Sequence, residues 1–170
     1  MYAWAAVECA VKDTWAIAIN LRPKELGHRA LLGVPAELAS GGISSKQVSV
    51  GLLAKHDFDL RGKIGTILAE KYDFTGVEGM RQAYSAAFGK QGTIEAAFSS
   101  DRLSELEAVR HLVAHRAGVV DEEFLRRTKR HDSIGQPVDL GGTILPDMVN
   151  AAIASTTSLL LFVDGSMRES

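Results

Sequence analysis

Apolar side chains recur at three- and four-residue steps through most of this 170-residue chain, the spacing that brings them onto one face of an α-helix. Trp4, Val7, Val11, Trp15 and Ala18 form the first such face and predict a helix from about Tyr2 to Leu21, with Pro23 just past its end. Tryptophans at this spacing pack into a core more readily than they offer a stacking surface. A shorter helix is expected over 24–32, and Gly33, Pro35, Gly41 and Gly42 then mark a loop. Ser44 or Ser45 can cap a helix reaching about His56. Leu60, Ile64, Ile67 and Leu68 make the next face, and Thr75 can cap a helix that carries Val77, Met80, Tyr84 and Phe88. Gly89 and Gly92 interrupt the pattern before a helix expected from about Ser100 to Gly118, with Leu103, Leu106, Val109 and Val113 on one side.

Beyond Gly118 the elements shorten. Asp121 can cap a helix containing Phe124 and Leu125 that closes in the basic run Arg126, Arg127, Lys129, Arg130. The helical period is then lost over 131–143, where Gly135, Pro137, Gly141 and Gly142 fall. Val138-Asp139-Leu140 is expected there as an extended piece or as half of a small hairpin around the glycines. Pro146 suits the first turn of a final helix that presents Val149, Ala152, Ile153, Thr156, Leu160 and Val163. The fold class that follows is all-α: an antiparallel helical bundle, with a small irregular or hairpin insertion before the last helix.

Composition narrows the picture. A chain of 170 residues with 46% hydrophobic content can form one domain spanning residues 1–170. The net charge of −2 gives no general attraction to nucleic acid or membranes, so a polyanion site has to be a local patch. Cys9 is the only cysteine, which excludes an intrachain disulfide and a cysteine-rich zinc site, and it is expected to be a small buried residue. The N-terminal stretch carries Glu8, Lys12 and Asp13 and lacks a basic start, and residues 151–163 are broken by Ser155, Thr156, Thr157 and Ser158. Neither pattern reads as a membrane span, and a cytoplasmic protein is expected. There is no Walker-type glycine loop and no GxSxG elbow.

The candidate chemistry lies in Arg110-His111-Leu112-Val113-Ala114-His115. Arg110 falls at the margin of an apolar face, where a solvated surface does not account for it. His115 lies in the last turn, where exposed carbonyls favour a cation, and imidazole is suited to proton transfer near neutrality. The bland reading pairs Arg110 with Glu107, three residues back, or with a carboxylate on a neighbouring helix. A metal reading uses Glu107, His111 and His115, which form a stripe at four-residue steps, but no glutamate directly follows His111 as in HExxH proteases. His28, His56 and His131 have no comparable neighbours and are expected on the surface or in loops.

These residues resemble the R-x4-6-H motif of the HEPN superfamily. The continuation from His115 through Gly118, Val119-Val120-Asp121 and Phe124-Leu125 is similar to the H-N-x-G-x-V-D-x-x-F/Y-L stretch of many bacterial members, with Arg116 where relatives carry asparagine. The resemblance covers roughly residues 60–165 and implies a homodimer whose paired motifs line one cleft. It also implies metal-independent RNA cleavage without a cofactor, of the defence or toxin type. His115 would move the proton, Arg110 would bind phosphate oxygens and His111 would assist. Arg116, Arg127, Lys129 and Arg130 are the expected RNA contacts. The alternatives are a noncatalytic dimerisation or RNA-binding module, acting with an antitoxin or a nucleotidyltransferase partner, and a metal-dependent hydrolase.

Overall fold

Nine α-helices, one π-helical turn and a two-stranded ribbon make up the described part of the computed structural model, which covers residues 2–34, 43–44, 47–48 and 50–168. Helix α1 (Tyr2–Leu21) runs into the π-turn Pro23–Gly27 and then α2 (His28–Leu32). Strands β1 (Ile43–Ser44) and β2 (Gln47–Val48) precede α3 (Val50–Lys55), α4 (Ile64–Ala69), α5 (Val77–Phe88), α6 (Gly92–Phe98) and α7 (Asp101–Arg116). Helices α8 (Glu122–Thr128) and α9 (Ile144–Arg168) complete the order.

The predicted stripe of α1 is the centre of the core: Trp4, Val7, Val11, Trp15 and Ala18 are all buried. Helix α1 packs on α4 and α9, and α9 also packs on α6 and α7. Buried aromatic groups keep their polar atoms satisfied, as a dry interior requires. Trp15 Nε1 donates to the Ala83 carbonyl at 2.8 Å, Trp4 Nε1 to Thr75 O at 3.1 Å and the Tyr84 hydroxyl to Val11 O at 2.9 Å. Burial pushes the Tyr72 phenol up to about 12, and its hydroxyl donates to the Ala30 carbonyl.

Helices α1 and α4 approach each other backbone to backbone. A Cβ on Gly65 would lie 2.0 Å from Ala16 O, and the Gly65 N–H donates to Asn20 Oδ1 at 2.7 Å. Gly65→Ala is therefore expected to push two helices apart and cost about 3 kcal/mol, read as a lower urea midpoint with an unchanged slope.

Several expectations are corrected. Where a helix was expected to start at Ser44 or Ser45, Ser44 lies in a strand and α3 begins at Val50. The β-branched residues Ile43 and Val48 are partners across the ribbon, residue types that suit extended backbone. Ser45, like Pro35, Gly41 and Gly42 of the expected loop, lies outside the described residues. Thr75 does not cap α5: its N–H and hydroxyl both donate to Asp73 Oδ1, and Gly76 takes the cap position. The stretch read as an interruption at Gly92 is α6, which buries Ile94, Ala97 and Phe98.

In α9 the buried stripe is Met148, Ala152, Ser155, Leu159 and Val163, while Ile153 and Leu160 are exposed. That helix is apolar around most of its circumference, so periodicity alone does not select the inward side. It is long and apolar enough to cross a membrane by length and composition, and here its buried stripe packs on α1, α6 and α7. Cys9 is exposed rather than buried, because it falls outside the stripe of α1. His28 and His131 are exposed as expected, and His56 is half-buried.

Candidate functional site

Helix α7 begins where its sequence says it should. The Ser100 hydroxyl accepts from Leu103 N at 3.4 Å, and Leu103, Leu106, Val109 and Leu112 face the core. The helix ends with two successive left-handed residues, Ala117 at φ 51° and Gly118 at φ 79°, of which only the glycine adopts that region without steric cost. This turn sends the chain back along an extended segment. Val138 N donates to Gly118 O and Val120 N to Gln136 O, each at 2.9 Å, and Val119 bridges Pro137 in antiparallel fashion. The extended piece around Val138 thus pairs with the segment leaving α7, not with a hairpin arm around Gly141 and Gly142. Asp121 caps α8 by accepting from Phe124 N at 2.8 Å.

The last two turns of α7 carry Arg110, His111 and His115. Arg110 leans onto α1, where its Nη2 donates to Glu8 Oε1 at 3.0 Å, with both side chains mostly buried at 29% and 24% exposure. Of the two ion pairs weighed for this arginine, the one to a neighbouring helix is made. Glu107 instead accepts from Arg127 Nη2 at 2.8 Å and from Val77 N at 3.2 Å. His111 and His115 are both exposed, and their rings lie 4.6 Å apart with planes tilted by 49°. No hydrogen bond or ion pair among the described residues joins Arg110 to either histidine. His111 also borders a narrow cleft against α8, formed with Phe124 and Arg127.

The basic residues following the motif divide into two groups. Arg116 is 65% exposed, 3.5 Å from Asp121, and Lys129 is exposed at the left-handed end of α8; both remain accessible to a polyanion. Arg127 is held by Glu107. Arg130 is held more firmly: its Nε donates to Asp132 Oδ2 at 2.6 Å and its Nη2 to Asp132 Oδ1 at 3.0 Å and to the Asp139 carbonyl at 2.6 Å. With side chains only 12% and 11% exposed, the Arg130–Asp132 pair ties the segment after α8 to the extended segment before α9. Arg130, expected as an RNA contact, acts here as a structural clamp, its fork filled by a carboxylate.

The Arg130 guanidinium holds the Asp132 carboxyl below the usual carboxylate range. A carboxylate with a depressed folded value stabilises the fold above its unfolded value, and that contribution is lost as pH falls through the folded one. Wild-type stability should therefore fall progressively below about pH 4. Asp132→Asn should cost about 2 kcal/mol at pH 7 and flatten that acid slope, as measured by urea unfolding across pH.

Glu8 is the residue that sequence reasoning did not single out. Its signal was its position beside the α1 stripe, between Val7 and Val11, where a carboxylate needs a cation from a facing helix. As for a metal, no group of three or more potential ligands is gathered among the described residues, and Glu107 is engaged away from the histidines. No family model matches the chain, and no curated protein or solved structure is found to be similar to it.

Proposed function

We propose that this chain is a metal-independent endoribonuclease that works as a homodimer, with Arg110, His111 and His115 as the catalytic residues. The observation that carries the reading is the exposed imidazole pair, 4.6 Å apart, on the same helix end as a guanidinium held by Glu8. The resemblance to HEPN motifs points the same way.

The chemistry needs both kinds of group. The ribose 2′-oxygen attacks the adjacent phosphorus as a neutral imidazole takes its proton. The bond from phosphorus to the 5′-oxygen then breaks as an imidazolium returns a proton to that oxygen, leaving a 2′,3′-cyclic phosphate and a 5′-hydroxyl. Arg110 binds the non-bridging oxygens and offsets the charge developing on them. Attacking and leaving oxygens lie roughly in line through phosphorus, so base and acid must stand on opposite sides of it. His115 and His111 of one protomer supply the two, and Arg110 of the partner protomer completes each of two equivalent centres across the interface.

Pairing of two chains is supported by the outer face of α9 and α1. Ile153, Leu160 and Leu161 are exposed there at 59%, 44% and 67%. A shallow apolar groove of about 290 Å³ runs between Ala3, Ala6 and Ala10 of α1 and Val149, Ile153 and Thr156 of α9. A two-fold interface lets each ridge enter the other's groove.

The Glu8–Arg110 pair favours a second reading, in which the face binds RNA or a partner such as an antitoxin without cutting. The test is incubation of purified protein with RNA and with an all-deoxy copy, in excess chelator. Cyclic-phosphate ends on RNA alone support the nuclease. RNA binding without cleavage selects the module, and cleavage that needs added zinc selects a metal hydrolase.

A further inference from the structure

A large cavity lies away from the α7 motif, between the π-turn, α2, α3 and α4. It has a volume of about 450 Å³ and is walled by Leu31, Leu52, Leu60, Ile64, Ile67 and Leu68. A volume of this size with nearly continuous apolar walls is what a small organic ligand fills. Two polar side chains line it, Lys24 and His28, both exposed and thus at its rim. They are four residues apart and border the same cavity.

Among the described residues, the surrounding charges leave that rim cationic. Glu25 lies 3.5 Å from Arg29, Asp59 is paired with Arg61 at 3.2 Å and Glu70 with Lys55 at 2.7 Å. Asp57 does not line the cavity. Neither Lys24 nor His28 has an ion-pair or hydrogen-bond partner among the described residues. The geometry points to a binding site for a single-chain anionic amphiphile, its hydrocarbon tail in the leucine-isoleucine cavity and its acidic head between Lys24 and His28. Charge complementarity at the rim is what selects this occupant over a neutral apolar one. The site shares no residue with the proposed nuclease centre and does not depend on it.

Titration calorimetry of the intact protein with straight-chain carboxylates tests this directly. Decanoate is expected to bind one to one, with affinity rising up to about fourfold per added methylene from hexanoate onward. Decanol should bind about tenfold more weakly, since each exposed ionic contact contributes up to about fivefold. Lys24→Glu should weaken decanoate about tenfold or more and leave decanol unchanged, while Ile64→Trp, which fills the cavity, should abolish binding of both. Lys24 is exposed, so its substitution spares the fold and its result stands even if Ile64→Trp does not fold. Absence of saturable binding, equal affinity for acid and alcohol, or a Lys24→Glu protein that binds decanoate normally would overturn the assignment.

Discussion

His115→Ala is expected to lower RNA cleavage by about 100- to 10,000-fold, the contribution of a positioned proton-transfer group, without lowering thermal stability. The residue is exposed and its ring lies beside that of His111, so truncation removes chemistry and leaves the core intact. Arg110 needs a different design because its guanidinium also holds Glu8. Arg110→Ala removes the phosphate ligand and leaves a mostly buried carboxylate unpaired, so both activity and stability should fall. Arg110→Lys separates the two roles. An ammonium can still answer Glu8, but it lacks the planar fork that grips two phosphate oxygens. Near-normal melting with cleavage reduced about tenfold or more is expected; full activity in the lysine variant would remove the guanidinium from the mechanism.

Trp15→Ala is expected to have the largest effect on stability, about 3–5 kcal/mol, which can be most of what holds a domain of this size folded. Trp15 is fully buried, and its ring meets Tyr72 and Phe74 edge-on at centroid distances of 5.3 and 5.5 Å. The Nε1 bond to Ala83 O joins α1 to α5. Trp15→Phe keeps most of the apolar volume and leaves that carbonyl without its donor, so it should cost roughly half as much. Chemical denaturation of the three proteins side by side checks the order; equal midpoints for Trp15→Ala and wild type would show that this core is not the one that stabilises the chain.

The elements most legible in the sequence are those whose signals agree at more than one level. In α1 the apolar period and the bounding proline coincide, with Lys12 and Asp13 on the exposed side. In α7 and α8 a capping side chain adds a second signal, and Ser100 and Asp121 both act as caps. Legibility fails where one signal stands alone. Thr75 is a good capping residue that Asp73 captures first, and Gly92 reads as a break although α6 starts there. In α9 the apolar residues surround the helix, so the inward stripe is decided by what α1 and α7 offer it.

The site divides along the same line. Positions within one helix were readable: the side-by-side placement of His111 and His115 follows from four-residue spacing. Partners from distant elements were not, because nothing local in the sequence ties Glu8 to Arg110 or Glu107 to Arg127. The basic run that closes α8 looked uniform, yet tertiary contacts assign Arg130 to Asp132 and leave Lys129 exposed.

Mixed dimers address the composite site most directly. Arg110→Ala and His115→Ala chains, each inactive alone, are unfolded, combined in equal amounts and refolded together. If each site takes its arginine from one chain and its histidine from the other, half of the dimers are mixed and each of those regains one of two sites. Cleavage should then return to about a quarter of the wild-type level. A mixture no more active than its separate components, or a wild-type enzyme that cuts RNA as a monomer, would contradict the account.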